Sequence, residues 1–369
     1  MFDLCISKGH EITSKSMILK KLKLTSFKNH ANSSFEFQQG INCILGRNGL
    51  GKTNLLDAIY FLSFTKSGVG SQDRLSITHE ERAFTIFGEY DEQTIAIQFE
   101  KGKTKTLKVD GKEPDRLSDV IGRTPLVMVL PDDTRMINEG SEERRKFFDG
   151  ALCQIDKPYL ESLLKYNKVL KQRNSLLKQT EGSPDPSLLE TYDDLLVPLA
   201  IQISQEREKL NSLFEPFLHE NYRALHDTDE APSLRFKSHV DQDFASKFKS
   251  SLHKDQIMQR TLLGSHRDDY EFILDGEPIK KFGSQGQQKT FIIALKLALY
   301  DFLVEEKDKQ PLLLLDDIFD KLDDSRISRL IGLLSNQNRF GQIFITDARS
   351  DRSKELFKNQ KEVNFIEIN

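Results

Sequence analysis

The chain has 369 residues, 37% hydrophobic and 30% charged, and a formal net charge of −4. That length suits about two domains with separate cores, and the mild acidity excludes a globally basic nucleic-acid binder, so any DNA surface has to be a local patch. Cys5, Cys43 and Cys153 are widely spaced, with no metal-ligand grouping, which suits a reducing cytoplasm, and no apolar run reaches the length of a membrane helix.

Residues 1–16 lack the apolar core of a signal peptide and any clear period, and they read as a loose extension or as an upstream start that the cell does not use. From 17 to about 130 the pattern is mostly β, with alternating runs at 22–27, 34–37, 84–90, 95–99 and 107–109. Asp110-Gly111 reads as the hairpin turn after the last of these.

Inside this β region a short strand at 41–45 runs into Gly46-Arg47-Asn48-Gly49-Leu50-Gly51-Lys52-Thr53, which fits G-x-x-x-x-G-K-T, the P-loop. An amphipathic helix follows, carrying Leu55, Leu56, Ile59 and Leu62. Glycines at 46, 49 and 51 permit the backbone angles that turn successive N–H groups toward phosphate oxygens. The helix start adds free N–H groups and a positive dipole end. Lys52 would reach the β- and γ-phosphates, and the Thr53 hydroxyl would bind Mg²⁺. A Gly-rich turn alone is the bland alternative; the intact strand–loop–helix order argues for bound ATP or GTP.

From 131 to 261 the character is mainly helical, an arm set into an α/β domain made of 17–130 and 262–369. One helix carries Leu160, Leu163, Leu164, Asn167, Leu170 and Leu177 at helical spacing. A second carries Tyr192, Leu195, Leu196, Leu199, Ile203, Leu210 and Phe214, with Pro198 predicting a kink or break. The turn-like segment 182–187 between them predicts an antiparallel pair. Lys165, Lys168, Lys171, Arg173 and Lys178 on the first helix read either as a DNA-binding face or as ordinary solvated surface.

Beyond the arm the α/β pattern returns with a strand near Phe272 and Leu274, helices at 287–302 and 327–334, and strands at 312–315 and 343–346. The run Leu312-Leu313-Leu314-Leu315 suits a central parallel strand buried on both faces. Asp316 and Asp317 at its end stand where such sheets bind ligands. Asp316 would hold Mg²⁺ and Asp317 would act as general base on the attacking water, with Lys52 as the other catalytic group. Ser284-Gln285-Gly286-Gln287 precedes the helix at 287–302 and reads as a second anion-binding end, or as a plain cap with Ser284 at the N-cap.

In this order the elements resemble the ATP-binding-cassette type heads of DNA-repair and chromosome-organising ATPases, and among them most closely the RecF family. Residues 24–30 (Leu24-Thr25-Ser26-Phe27-Lys28-Asn29-His30) are similar to that family's opening L-x-x-F-R-N-Y. Pro131-Asp132-Asp133, Gly140, Arg144-Arg145 and Asp149 are similar to its P-E-D…G…R-R-x-x-L-D, and residues 166–174 and His266-Arg267-Asp268-Asp269 are close as well. Residues 66–80 match poorly.

The resemblance implies an α/β P-loop head with a mixed β-sheet, interrupted by the helical arm. It implies ATP and Mg²⁺ sandwiched in a head-to-head homodimer, with Ser284, Gln285, Gly286 and Gln287 as a signature acting on the partner's nucleotide and Asp320 and Asp323 in a D-loop. It also implies binding of single-stranded, double-stranded and gapped DNA, cooperation with the RecR and RecO mediators, delivery of RecA to gaps, and weak DNA-dependent ATPase activity. Asp347 stands at the switch-histidine position of related heads, so slow hydrolysis is expected, and Asp132 or Asp133 falls near the missing Q-loop glutamine. The alternative of an SMC-type chromosome-tethering ATPase needs far longer coiled-coil arms. A transporter subunit needs a coupling region and a nuclease an added metal cluster; the chain offers neither.

Overall fold

The computed structural model describes residues 15–70, 72–179, 185–226, 229–336, 338–360 and 363–368. The loose extension expected at the start therefore lies almost wholly outside the described residues, as do Cys5 and the first half of the turn at 182–187; Lys15–Ser16 pairs in parallel with Lys309–Gln310. Two compact units emerge: Met1–Pro131 with Tyr300–Asn369, and Asp132–Leu299. The second is larger than the expected arm, because Asp269–Leu274 does not rejoin the head. It pairs antiparallel with Pro232–Lys237, a strand not foreseen from the sequence, and so carries the chain to Leu299 within that unit.

In the first unit the strands segregate by direction. A five-stranded sheet runs Val363–Glu367, Gly40–Leu45, Gln342–Asp347, Leu312–Leu315, Leu126–Val129, every pair parallel. Leu312–Leu315 is flanked on both sides and wholly buried, which is why its sequence is unbroken leucine. A second five-stranded sheet is antiparallel, in the order His30–Glu36, Leu19–Phe27, Ala83–Tyr90, Thr94–Glu100, Thr106–Val109. Its alternation leaves Leu22 and Leu24 inward and Lys23 and Thr25 outward, and the left-handed Ser26, at φ 51°, interrupts it so that Phe27 is buried as well.

The helix Lys52–Phe64 is held by both sheets. Its Leu55, Ile59, Phe61 and Leu62 share one core with Leu24, Phe84 and Ile86 of the antiparallel sheet and Ile44, Leu314 and Phe344 of the parallel one. Phe27, Phe61 and Phe84 meet edge to face, with ring centroids 5.3–6.1 Å apart, each such contact contributing about 0.5–1.5 kcal/mol beyond its burial. The helix is thus not the one-sided element expected: among its residues only Thr53, Asn54 and Tyr60 reach solvent, and partly.

In the second unit, helices Lys157–Leu177 and Pro186–Leu225 lie antiparallel, tied by Ser162 to Gln202 at 2.9 Å and Arg173 to Asp193 at 2.6 Å. Pro198 and Pro216 both sit inside the second helix, which continues through them, so of the kink or break expected at Pro198 the break does not occur. A proline removes one rung, and the buried Leu196, Ala200 and Ile203 hold the turns on either side against neighbours. The inward stripe of the first helix is Leu160, Tyr166, Val169, Arg173 and Leu176–Leu177, while Leu164 and Asn167 face water.

The segments around Arg144–Asp149 and His266–Asp269 meet in a buried polar core. Arg207 donates to both oxygens of Asp149 at 2.9 Å and to Asp268 at 2.9 Å. Tyr159 donates to Asp149 at 2.6 Å, and Ser204 and Ser238 donate to Asp268. Arg144 grips Asp269 with two bonds of 2.7 and 3.0 Å. Every carboxylate so buried has a charged or hydroxyl donor, the condition under which burial is tolerated.

Candidate nucleotide-binding site

Gly40–Leu45 delivers the chain to the edge of the parallel sheet, where residues 46–51 turn back into the helix beginning at Lys52. Gly49 and Gly51 take φ values of +87° and +101°, which a side chain would strain. Lys52 is only 4% exposed. Its ammonium donates to the Gly46 carbonyl at 2.9 Å and more weakly to Arg47 O and Asn48 Oδ1 at 3.4 and 3.3 Å. The cation is therefore held over the loop by oxygens that a phosphate can replace.

Thr53, one residue on, donates to Asp316 Oδ2 at 2.8 Å and lies 3.1 Å from Oδ1. Thr346 from the neighbouring strand donates to Asp316 Oδ1 at 2.7 Å and accepts the Asp317 backbone N–H at 2.9 Å. Burial pushes the Asp316 carboxyl up, against the pull of both threonines and the Lys52 charge. A hydroxyl and a carboxylate side by side are hard oxygen donors. With phosphate oxygens and water they fit the octahedral shell of Mg²⁺, whose charge would relieve the cost of the buried carboxylate. Asp317 adopts left-handed backbone angles, φ 42° and ψ 37°, directly after the strand. Its side chain is half-buried.

Asp347, at the position expected for the switch histidine of related heads, is held by the residues that follow it. Asp347 is 1% exposed and accepts from Arg352 at 2.7 and 3.2 Å, Ser353 at 2.5 Å and the Arg349 N–H at 2.9 Å. Burial raises its carboxyl, yet these donors together outweigh burial and hold it below the ordinary range. It anchors the chain after Gln342–Asp347. Of the two residues expected in a D-loop, Asp323 caps the helix Asp324–Leu334 by accepting the Arg326 N–H at 2.9 Å; the side chain of Asp320 lies outside the described residues. In the second unit, Asp133 pairs with Lys296 at 2.9 Å and Asp132 with Arg135 at 3.0 Å.

Ser284 and Gln287 form a capping box at the start of the helix Gln285–Lys307. Ser284 Oγ accepts the Gln287 N–H at 3.2 Å, and Gln287 Oε1 accepts the Ser284 N–H at 2.8 Å. Ser284 and Gln285 are exposed, Gly286 half-buried, and Gln287 also donates to Glu230 at 2.8 Å. Of the basic arm residues, Lys165, Lys168, Lys171 and Lys178 are exposed. Arg173 is not part of that face. It is 0% exposed, bonded to Asp193, Asp255 and Thr261 and stacked on Phe248, because its helical phase points it into the unit.

Two residues at the P-loop were not foreseen as site residues. Asn29 donates to Gly49 O at 3.4 Å and accepts from Asn54 at 2.8 Å, and His30 Nε2 meets Gly51 O at 3.1 Å. The only signal in the sequence was their membership of the stretch 24–30.

Residues 18–366 match the family model for the RecF/RecN/SMC N terminal domain. The chain is 43% identical to the DNA replication and repair protein RecF of Cytophaga hutchinsonii, over 93% of this chain and 92% of that one. It is 42% identical to the protein of the same name from Bacteroides thetaiotaomicron, over 91% and 92%. The solved recombination mediator protein RecF with ATP, of the RecFOR pathway, superposes with a TM-score of 0.84 at 30% identity, covering 94% of this chain and 95% of that one. A Pyrococcus furiosus Smc head domain shares the fold at a TM-score of 0.55 and 16% identity.

Proposed function

We propose, from the premise that this chain belongs to the RecF family and has its ABC-type ATPase head, that it is an ATP-dependent DNA-binding protein of recombinational repair and replication in the bacterial cytoplasm. ATP is held by residues 46–53, and Thr53 and Asp316 would hold Mg²⁺. Asp317 takes the proton from the attacking water, and Ser284 of a second copy reaches the γ-phosphate, so turnover needs a head-to-head dimer and is slow. In that state the protein binds single-stranded, double-stranded and gapped DNA, works with RecO and RecR, and helps load RecA at gaps.

The observation that carries this reading is the contact of Thr53 with Asp316, which brings together from distant parts of the chain the two oxygen donors that the reading assigns to Mg²⁺. The solved relative holding ATP supports it. The SMC-type alternative has less support: the antiparallel arm helices are 21 and 40 residues long, with no room for a tethering coiled coil.

Sedimentation velocity with and without ATP and gapped DNA tests the proposal. An ATP-dependent dimer that carries DNA only when ATP is present is the expected result. A monomer indifferent to ATP overturns it.

A further inference from the structure

The stretch 24–30 has no part in the chemistry described so far, yet its turn lies against the P-loop. Lys28 is itself left-handed, at φ 52°, and its backbone N–H donates to Ser76 O at 2.8 Å. Its ammonium pairs at 2.7 Å with Asp57, a fully buried carboxylate on the P-loop helix that also accepts from Ser67 at 2.7 Å and from the Gly68 N–H at 2.7 Å. The turn is thus fastened to the helix that begins at Lys52, and the two residues after Lys28 are carried to fixed positions over residues 49–51.

Asn29 fills the space beside Gly51 so closely that a Cβ there would lie 2.4 Å from its amide. Its own amide is set by Asn54 at 2.8 Å and donates toward Gly49 O at 3.4 Å. His30 is 5% exposed and wedged edge-on against Phe35 with centroids 5.8 Å apart. Gly51 O can only accept, so His30 Nε2 carries the hydrogen; burial lowers the imidazole pKa and keeps it neutral, leaving Nδ1 to accept the Ser33 hydroxyl at 3.2 Å.

A trans peptide is planar, with C=O and N–H pointing in opposite directions. The Gly51 carbonyl accepts the Leu55 N–H at 2.9 Å as the first bond of the helix and His30 at 3.1 Å from outside it, so the plane of the Gly51–Lys52 peptide, and with it the Lys52 N–H, is braced twice. The Gly49–Leu50 peptide is likewise braced from both ends, by Asn29 on the Gly49 carbonyl and by the Leu50 N–H donating to Arg47 O at 3.4 Å.

Resting on the proposed ATP site, we propose that Asn29 and His30 are phosphate-positioning residues: an outer clamp that pre-orients the P-loop N–H groups for the triphosphate of ATP. Neither touches the nucleotide. They act through the Gly49–Leu50 and Gly51–Lys52 peptides, so that the loop is formed before the phosphate arrives and binding spends less on ordering it.

The test is equilibrium binding of a fluorescent ATP analogue to the full chain, with thermal melting alongside. His30→Phe keeps a ring of similar size and loses the donor; His30→Gln keeps a donor on a flexible chain; Asn29→Ala removes an exposed amide whose loss leaves the core untouched. His30→Phe should weaken binding roughly tenfold, the equivalent of one hydrogen bond, with His30→Gln recovering most of the loss and Asn29→Ala losing several-fold. Recovery by glutamine at unchanged melting temperature separates orientation from general loosening. Wild-type affinity in both His30→Phe and Asn29→Ala overturns the clamp. If His30→Phe melts too low to assay, Asn29→Ala and His30→Gln decide alone: wild-type affinity in Asn29→Ala, or a His30→Gln as weak as Lys52→Ala, overturns it. Lys52→Ala must lose binding throughout. A wild-type protein that binds no ATP would instead sink the nucleotide site itself.

Discussion

The hydroxyl of Thr53 donates to Asp316 at 2.8 Å across 263 residues of sequence, and Thr346 donates to the same carboxylate from the next strand. Two parallel strands and one helix start therefore define a single oxygen-lined point. Its position is fixed by the sheet register, in which Leu315 pairs with Ile345 and Asp347 with Leu45.

Asp317 and Asp316 should separate by substitution. Asp317→Asn keeps the size and polarity of the side chain but accepts no proton, so bound Mg·ATP should persist while hydrolysis slows by about a hundredfold. Single-turnover assays with labelled ATP measure both. Hydrolysis at the wild-type rate in a folded, ATP-binding variant would place the base elsewhere.

Ser284→Arg tests whether the site is shared between copies. The change removes the Oγ that accepts the Gln287 N–H, costing about 1 kcal/mol of helix stability. It also places a bulky cation at an exposed loop. The variant should bind ATP as a monomer and hydrolyse almost none, with partial recovery when mixed with Lys52→Ala, provided crosslinking detects the mixed dimer. A Ser284→Arg monomer that turns over ATP normally would confine catalysis to one chain.

The arm separates into a surface question and a stability question. Lys168→Glu with Lys171→Glu should leave the melting temperature unchanged and make DNA binding less salt-dependent, the slope falling by about one per lysine that touches phosphate. An identical slope returns both to solvated surface. Arg173→Ala should instead destabilise the unit by about 3–5 kcal/mol, since it strands the buried carboxylate of Asp255 and the half-buried one of Asp193. Chemical denaturation distinguishes the two outcomes.

His266 makes the second unit acid-sensitive. Burial lowers its pKa from 6.5 to about 4, and Thr261 O at 3.1 Å and the Tyr166 hydroxyl at 2.7 Å occupy both ring nitrogens. Between pH 6.5 and 4 the unfolded chain takes up a proton that the folded one refuses. The stability from this group is complete above pH 6.5 and is lost as pH falls toward 4. Over that window the loss amounts to about 2–3 kcal/mol. His266→Gln should flatten this part of the stability-versus-pH curve, measured by urea unfolding at pH 7 and 4.5. Parallel curves for the two proteins would count against the buried neutral imidazole.

The chain's own pattern determined the parts whose physics is local. Glycines at 49 and 51 are where the backbone is left-handed, Leu312–Leu315 is the strand buried on both faces, and Ser284 is followed at the right spacing by the Gln287 that caps it. Each is a rule about neighbours along the chain, so spacing alone reveals it. Tertiary structure decided what depends on which surface an element meets. Lys168 and Arg173 share one basic helix, yet one faces water and the other is sealed between two aspartates, because only the position of Asp193 and Asp255 gives that face an inside. The sequence puts Asp347 at the switch-histidine position of related heads, but that Arg352 and Ser353 enclose its carboxylate is decided by the fold. Asn29 and His30 carry no periodic signal: they matter through carbonyls twenty-odd positions away, brought within reach by a sheet register and the Lys28–Asp57 pair that no local pattern encodes.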